Sequence, residues 1–274
     1  MSLRLAFLGP RGTFTEQAAL EYAPQADLIA APSIRAVTEA VVAGEADEAI
    51  VPIENSLVGP VNETLDLLIH TLDLKIRAEV VLPIVHCLLG PAGSDLAQVQ
   101  VVYSKPEALD QCAVFLRQEL PQADQRAALS TAGAVEQALA EDGAVAIAPR
   151  RAAELLGAAI LRDGVQDDDR NQTRFVVLGE DDAPPTGHDK TSLAFNTLDV
   201  PGALVRALQP FAEAGVDLSK IESRPAREEL GVYVFLIDCD GHRLDADLAT
   251  VLARVEQETT QLKLFGSYPR YRAR

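Results

Sequence analysis

The chain has no tryptophan, a single methionine and three cysteines, and aromatic residues make up only 5% of its 274 positions. Cys87, Cys112 and Cys239 are odd in number, lack paired spacing and sit in apolar surroundings, so a disulfide framework is excluded. They read as reduced core thiols of a cytosolic protein. Basic residues are also scarce: 24 lysines and arginines stand against 41 acidic residues, for a net charge of −17. Such a chain repels nucleic acid and anionic membranes, and neither is expected as a partner. Long hydrophobic runs are missing. The longest, VVLPIVHCLLG at 80–90, is broken by Pro83 and His86 and cannot span a bilayer. The opening MSLRLAFLGPRG reaches Gly-Pro too early for a signal peptide, so a cytoplasmic location is expected. Neither GxGxxG nor GxxxxGK[ST] occurs, which argues against a nucleotide cofactor. His70, His86, His188 and His242 show no ligand spacing and no Ser/His/Asp logic, and read as structural or surface residues. Asp167, Asp168 and Asp169 have no second acidic cluster to complete a cation site and read as a solvated face. No metal and no organic cofactor is expected.

Alternation of strand and helix patterns fills residues 1–179. Strands are predicted at 3–9, 27–31, 48–53, 99–104, 144–148 and 173–178, with extended segments across 75–89. Helices are predicted at 13–23, 33–43, 60–70, 105–118, 131–141 and up to residue 156. Strands separated by helix-length patterns imply an α/β domain with a mainly parallel sheet. Ligands of such sheets sit beyond the carboxyl ends of the strands. The acidic, Pro- and Gly-bearing stretch EDDAPPTGHDK (180–190) reads as a linker. After it the order strand 191–197, helix 201–214, strand 217–224, strand 231–238, helix 244–257, strand 262–267 is ferredoxin-like βαββαβ.

Several turns carry polar groups suited to an anion. In LGPRGTFTEQAAL (8–20), Thr13 and Glu16 are spaced as a capping box. The same geometry makes either a plain capped helix or, with the Thr13 and Thr15 hydroxyls, a carboxylate or phosphate seat. Glu54, Asn55 and Ser56 lie at a strand's carboxyl end before Gly59-Pro60, either as loop chemistry or as a site. Ser104 and Glu107 form a second predicted capping box, and Ser130 and Thr131 open another helix. Singly each is a common cap. Together they fit one cleft for a small polyanion. The crowd Asn171, Gln172, Thr173, Arg174 at the mouth of the apolar strand FVVLG is read either as a solvated loop or as part of that cleft.

These motifs in this order resemble the prephenate dehydratase family over essentially the whole chain. The resemblance rests on GPRGTFTEQAA, PIENSLVGPVNETLDLL, NQTRF, DKTSLAF, PGALVRALQPFAEAGVDLSKIESRP and FGSYPR. It implies a two-lobed, periplasmic-binding-protein-like catalytic domain over 1–180, with a second lobe at roughly 77–160. A linker at 181–190 and a regulatory ACT domain at 191–274 follow. The implied reaction converts prephenate to phenylpyruvate, water and carbon dioxide without a cofactor, under feedback control by phenylalanine. One departure is visible: the family often has Ser-His-Pro where this chain has Ser104-Lys105-Pro106.

By that resemblance Thr173 hydrogen-bonds the departing ring hydroxyl, fed by water or a carboxyl such as Glu54. Arg174 clamps a carboxylate bidentately, and Phe175 walls the ring. Strand alternation points Thr173 and Phe175 one way and Arg174 the other. An irregular strand start is therefore expected, letting Arg174 reach the cleft or brace it from behind. The implied effector site comprises Gly202, Ala203, Leu204 and Val205 with Glu222, Ser223, Arg224 and Pro225. Side-by-side pairing of ACT domains implies a homodimer or homotetramer. Arogenate dehydration and a non-catalytic amino-acid sensor are the alternative functions.

Overall fold

The structure, a computed structural model, describes residues 2–226 and 232–272. The chain divides into two compact units, residues 1–62 with 80–175 and residues 63–79 with 176–274. The first unit holds two lobes. Its first lobe is built on β1 (Arg4–Leu8), α1 (Phe14–Tyr22), β2 (Asp27–Ala31), α2 (Ile34–Val42) and β3 (Glu48–Asn55), followed by the two-residue β4 (Gly59–Pro60). β1 pairs in parallel with both β2 and β3, and its centre, Leu5, Ala6 and Phe7, has no solvent exposure. α3 (Asn62–His70) and β5 (Lys75–Pro83) come next, and the sheet order is β2–β1–β3–β11–β5, where β11 is Gln172–Gly179. β5 and β11 each pass from one compact unit to the other along the chain.

The second lobe carries β6 (Cys87–Gly90), β7 (Val101–Ser104), α4 (Pro106–Asp110), α5 (Ala113–Glu119), β8 (Asp124–Ala127), α6 (Thr131–Ala140), β9 (Ala144–Ala148), α7 (Arg150–Leu156) and β10 (Ala159–Asp163). Its sheet runs β10–β6–β9–β7–β8. β9, AVAIA, is buried at every position, as a central strand covered on both faces must be. Small residues bring α6 close to it: Ala134 and Ala138 share one core with Ala144, Ala146 and Ala148. The helix predicted at 105–118 is broken at Gln111 and Cys112 into α4 and α5. β8 and β10 were not foreseen, and β8, DQRA, is exposed at every position, so it carries no apolar period to read.

Gly12 joins the two lobes. It holds φ +83°, and a Cβ there would stand 3.3 Å from Ala152 Cα and 3.4 Å from Ala132 Cβ. Only glycine takes that backbone region at such close approach without strain. The start of α1 is thereby seated against the starts of α6 and α7. Glu16, fully buried, ties the contact: its Oε2 accepts from Gly12 N at 2.8 Å and from Arg151 Nε at 3.2 Å.

In the second unit β12 (Asp189–Asn196), α8 (Ala203–Glu213), β13 (Leu218–Pro225), β14 (Tyr233–Asp240), α9 (Ala246–Glu258) and β15 (Gln261–Pro269) give βαββαβ. The sheet order is β13–β14–β12–β15 with every pairing antiparallel, and Phe211 of α8 and Leu248 and Val255 of α9 pack on Leu193, Phe195 and Ile237. Residue 231, where the sequence reading begins a strand, lies outside the described residues. α3 from Glu63 onward and the first half of β5 belong to this unit. Arg224 of β13 pairs with Asp66 of α3 at 3.1 Å, and Lys190 of β12 with the buried Glu79 at 2.9 Å. The three cysteines are free and buried, and burial is the first cause pushing each thiol up to about 12. Thiols so placed are inert.

Candidate active site

A cleft of about 380 Å³ opens between the lobes of the first unit. From one side it is lined by Thr13, Phe14 and Thr15 at the start of α1 and by Pro52, Asn55, Val58 and Val61 around β3 and β4. Ile84, His86, Lys105, Glu107, Gln111, Leu129, Ser130 and Thr131 face them, and Thr173 and Phe175 of β11 complete the wall. The sequence-predicted Thr13, Thr15, Asn55, Ser130, Thr131, Thr173 and Phe175 thus meet in one crevice.

A chain of amides organises this crevice, and its polarity follows from hydrogen-bond logic. Backbone N–H groups only donate, and Leu57 N and Val58 N both donate to Asn55 Oδ1 at 2.9 Å. Asn55 Nδ2 is therefore the amide nitrogen, and its two hydrogens go to Asn171 Oδ1 at 2.8 Å and Thr173 Oγ1 at 2.9 Å. Asn171, 1% exposed, then donates through Nδ2 to Gln111 Oε1 at 2.9 Å. Gln111 Oε1 also lies 2.9 Å from His86 Nε2, which must be the protonated ring nitrogen. Two consequences follow. Thr173 accepts from Asn55, so its own hydroxyl hydrogen is left for a cleft ligand. His86 is held as the Nε2–H tautomer.

Two helix starts aim at the same space. Thr13 caps α1, with Glu16 N donating to Thr13 Oγ1 at 3.4 Å, and Ser130 caps α6, with Gly133 N donating to Ser130 Oγ at 2.9 Å. The first intrahelical bonds begin at Gln17 N and Ala134 N, so the amides of Phe14, Thr15, Thr131 and Ala132 precede them. Amides of this kind attract anions. Among the lining residues Lys105 is the lysine or arginine, 3.7 Å from Glu107 Oε2. His86 stacks edge-on against Phe14 with ring centroids 5.5 Å apart. Burial pushes its pKa below the usual imidazole value, opposed by the Gln111 hydrogen bond.

Other predicted residues fall elsewhere. Ser104 is not a cap: Pro106 takes the first helical position, making Lys105 the N-cap residue without a side-chain cap bond. Ser104, fully buried, donates to Ile147 O at 2.6 Å instead. Ser56 stays in the loop, where Gln172 N donates to its Oγ at 2.9 Å and the Oγ donates to Arg170 O at 3.2 Å. The irregular start expected before Phe175 is absent from β11. β11 is regular from Gln172, so Thr173 and Phe175 face the cleft while Arg174 points away. Arg174 pairs with Glu54 at 3.8 Å, and neither lines the cleft. Asp167 receives the α5 amides of Val114 and Phe115, Asp168 pairs with Arg170, and Asp169 accepts from Gln166. His86 and Gln111 were the residues the sequence reading missed. A polar residue interrupting the buried run 80–90 was the available signal for the first.

In the second unit a pocket of about 230 Å³ is lined by Leu198, Val200, Gly202, Ala203, Leu204, Val205, Tyr233 and Phe235, among others. Gly202 starts α8 at φ +80°. Glu222, Ser223, Arg224 and Pro225 lie on β13, the sheet's edge strand, outside this lining. Arg224 is held by Asp66 and, at 3.3 Å, by Glu222.

A two-lobed α/β domain with an anion-suited crevice, followed in the chain by a βαββαβ module, defines a small-acid enzyme or receptor with a regulatory module. Family comparison resolves which. The prephenate dehydratase model matches residues 5–183, and the ACT domain model matches 191–257. The bifunctional chorismate mutase/prephenate dehydratase of Aquifex aeolicus (strain VF5) is 41% identical over 269 residues, 98% of this chain and 74% of that protein. Among solved structures, the prephenate dehydratase of Arthrobacter aurescens in complex with L-Phe is 38% identical with a TM-score of 0.89, covering 98% of this chain and 90% of its own. GqqA, described as a novel type of quorum quenching acylase, is 32% identical with a TM-score of 0.87, covering 97% of each chain. The chain belongs to the prephenate dehydratase family: a periplasmic-binding-protein-like lyase domain followed by an ACT domain.

Proposed function

We propose that the cleft of the first unit binds prephenate and that Thr173 is its central catalytic group. The observation that carries this is the 2.9 Å bond from Asn55 Nδ2 to Thr173 Oγ1, which turns the threonine into an oriented donor. Lys105 and the first-turn amides of α1 and α6 would hold the two carboxylates. Phe14, Val58, Ile84, Leu129 and Phe175 would cover the ring. In the reaction the ring C–C bond to the carboxylate breaks, releasing carbon dioxide, and its electron pair enters the ring. The C–O bond to the hydroxyl breaks with uptake of one proton, releasing water and leaving an aromatic ring. Thr173 donates to the leaving oxygen as charge develops on it. Arg174 braces Glu54 behind the wall.

An acylase activity, the kind for which GqqA is named, would call for a nucleophile such as a hydroxyl or thiol activated by an adjacent base. In this cleft the Thr173 and Ser130 hydroxyls accept from amide groups, and among the described residues no hydrogen bond joins either of them to the imidazole. That arrangement favours the lyase reading.

The pocket beside Gly202, Ala203, Leu204 and Val205 is the proposed phenylalanine site. Edge strand β13 of a second copy would supply Glu222 to Pro225 in a homodimer or homotetramer, as edge strands pair readily. Phenylalanine there would shift the population of cleft conformations. We take residues 1–180 as the catalytic part, 191–274 as the regulatory part, and the protein as cytoplasmic; among the described residues no helix is long and apolar enough to cross a membrane. Mixing the protein with prephenate should yield phenylpyruvate, and no product would defeat the reading. The same assay with arogenate compares the sister substrate. Thr173→Ala should lower kcat by about 10²-fold or more with little change in KM, and Thr173→Ser should restore much of it. Unchanged turnover in Thr173→Ala would remove Thr173 from the chemistry.

A further inference from the structure

His86 is the titratable ring of this cleft. It is 2% exposed, lines the crevice with Thr173 and Gln111, and is locked by Gln111 as the Nε2–H tautomer. Its Nδ1 is buried and has no hydrogen-bond partner among the described residues. Leaving a buried polar atom unmatched costs about 1–3 kcal/mol, so such an atom needs an explanation. The reaction supplies one. Prephenate enters as a dianion and the products carry one negative charge fewer, so one proton must be delivered to the departing hydroxyl in every turnover. A threonine hydroxyl is too weak an acid to be that source.

We propose that His86 is the general acid of the cleft, giving its Nδ1 proton to the leaving ring hydroxyl while Thr173 donates a hydrogen bond to the same oxygen. This rests on the reading of the cleft as the prephenate site. Before turnover the imidazole takes a proton from solvent and becomes an imidazolium with both nitrogens as donors, Nε2 to Gln111 and Nδ1 to the substrate. The Gln111 oxygen suits this form, because it accepts from Nε2–H in either charge state. When the C–O bond breaks, the Nδ1 proton moves to the leaving oxygen, water departs and neutral imidazole remains. The ring carboxylate leaves as carbon dioxide and its bonding electrons complete the aromatic ring.

The charges around His86 set the timing. Lys105 and Glu107 line the same cleft, and Asp169 holds Gln166, whose Oε1 accepts the His86 backbone amide. Asp167 lies on the segment whose amide donates to Gln111 O. Burial holds the ring's pKa below the usual imidazole value, with the Gln111 hydrogen bond opposing it. A bound dianion favours the imidazolium, so protonation accompanies substrate binding.

Kinetics and one spectroscopic measurement test this. In the wild-type protein kcat should fall as pH rises through the imidazolium pKa of the complex. His86→Gln should lower kcat by about 10²- to 10⁴-fold, lose that limb and keep KM within a few-fold. A variant within threefold of wild-type kcat that retains the limb, or one whose loss falls on KM alone, overturns the proposal. Histidine 15N spectra of the wild-type protein bypass any folding defect. The probe is the ring-saturated analogue of prephenate, which keeps both carboxylates and the hydroxyl but cannot aromatise. At neutral pH Nδ1 should change from unprotonated in the free protein to protonated in the complex, and an Nδ1 that stays unprotonated overturns it. If wild-type protein fails to consume prephenate, the site reading itself has failed; if it turns over and His86 is silent, only the acid assignment has.

Discussion

At the scale of single residues, the cleft depends on which way its amides point. Asn55 uses all four of its hydrogen-bonding positions: two backbone amides enter its oxygen and two side-chain acceptors take its nitrogen. Asn55→Asp keeps the acceptor and removes both donors. The Leu57 and Val58 amides remain satisfied, but the buried Asn171 Oδ1 loses its donor and faces a carboxylate, so the thermal midpoint should fall. Thr173 would turn its hydrogen toward the new carboxylate, and kcat should fall by about 10²-fold or more. Asn55→Ala also orphans the two amides and should cost about 2 kcal/mol of stability in a denaturant titration. Equal kcat in Asn55→Asp and wild type would show that the network does not orient Thr173. Thr173 and Asn55 were legible in the sequence because each stands in a polar cluster at a strand end. His86 and Gln111 were not. A histidine inside VVLPIVHCLLG has the look of a core residue, and its link to Gln111, 25 positions on, exists only after folding.

At the scale of elements, alternation and backbone limits decide what faces the cleft. The tension over Thr173 and Arg174 was correctly posed by strand periodicity and resolved by it. β11 stays regular, and Arg174 goes to Glu54. The Ser-x-x-Glu spacing points to a cap at Ser104, but Pro106 fixes the helix start one residue later and makes Lys105 the N-cap. β10 escaped notice because AILRD is short and only half buried. Gly12 shows what an element boundary can demand. Gly12→Ala would place a methyl 3.3 Å from Ala152 Cα on a backbone at φ +83°. Strain of about 1–3 kcal/mol should lower the thermal midpoint. Because relief would shift Thr13 and the Phe14 and Thr15 amides, KM for prephenate should rise more than kcat falls. A variant with wild-type midpoint and KM would mean that the contact between the helix starts has slack.

For the whole molecule, charge is the quantity that acts at a distance. The chain carries −17, yet prephenate is a dianion, so the field of the protein opposes approach while, in the proposed site, Lys105 and the helix-start amides attract at close range. These two effects respond differently to salt. The Debye length shrinks from about 30 Å at 0.01 M to about 8 Å at 0.15 M, which screens distant carboxylates far more than groups touching the ligand. kcat/KM for prephenate should therefore rise severalfold over that range, through KM rather than kcat. In Lys105→Gln the local attraction is weaker and repulsion is a larger share of the total, so the rise should be steeper from a lower starting value. Steady-state rates at fixed pH in a salt whose ions do not compete for carboxylate sites give both slopes. A kcat/KM that falls with salt in the wild-type protein would mean that the local cationic surface outweighs the net charge, and that the cleft draws its substrate in from beyond contact range.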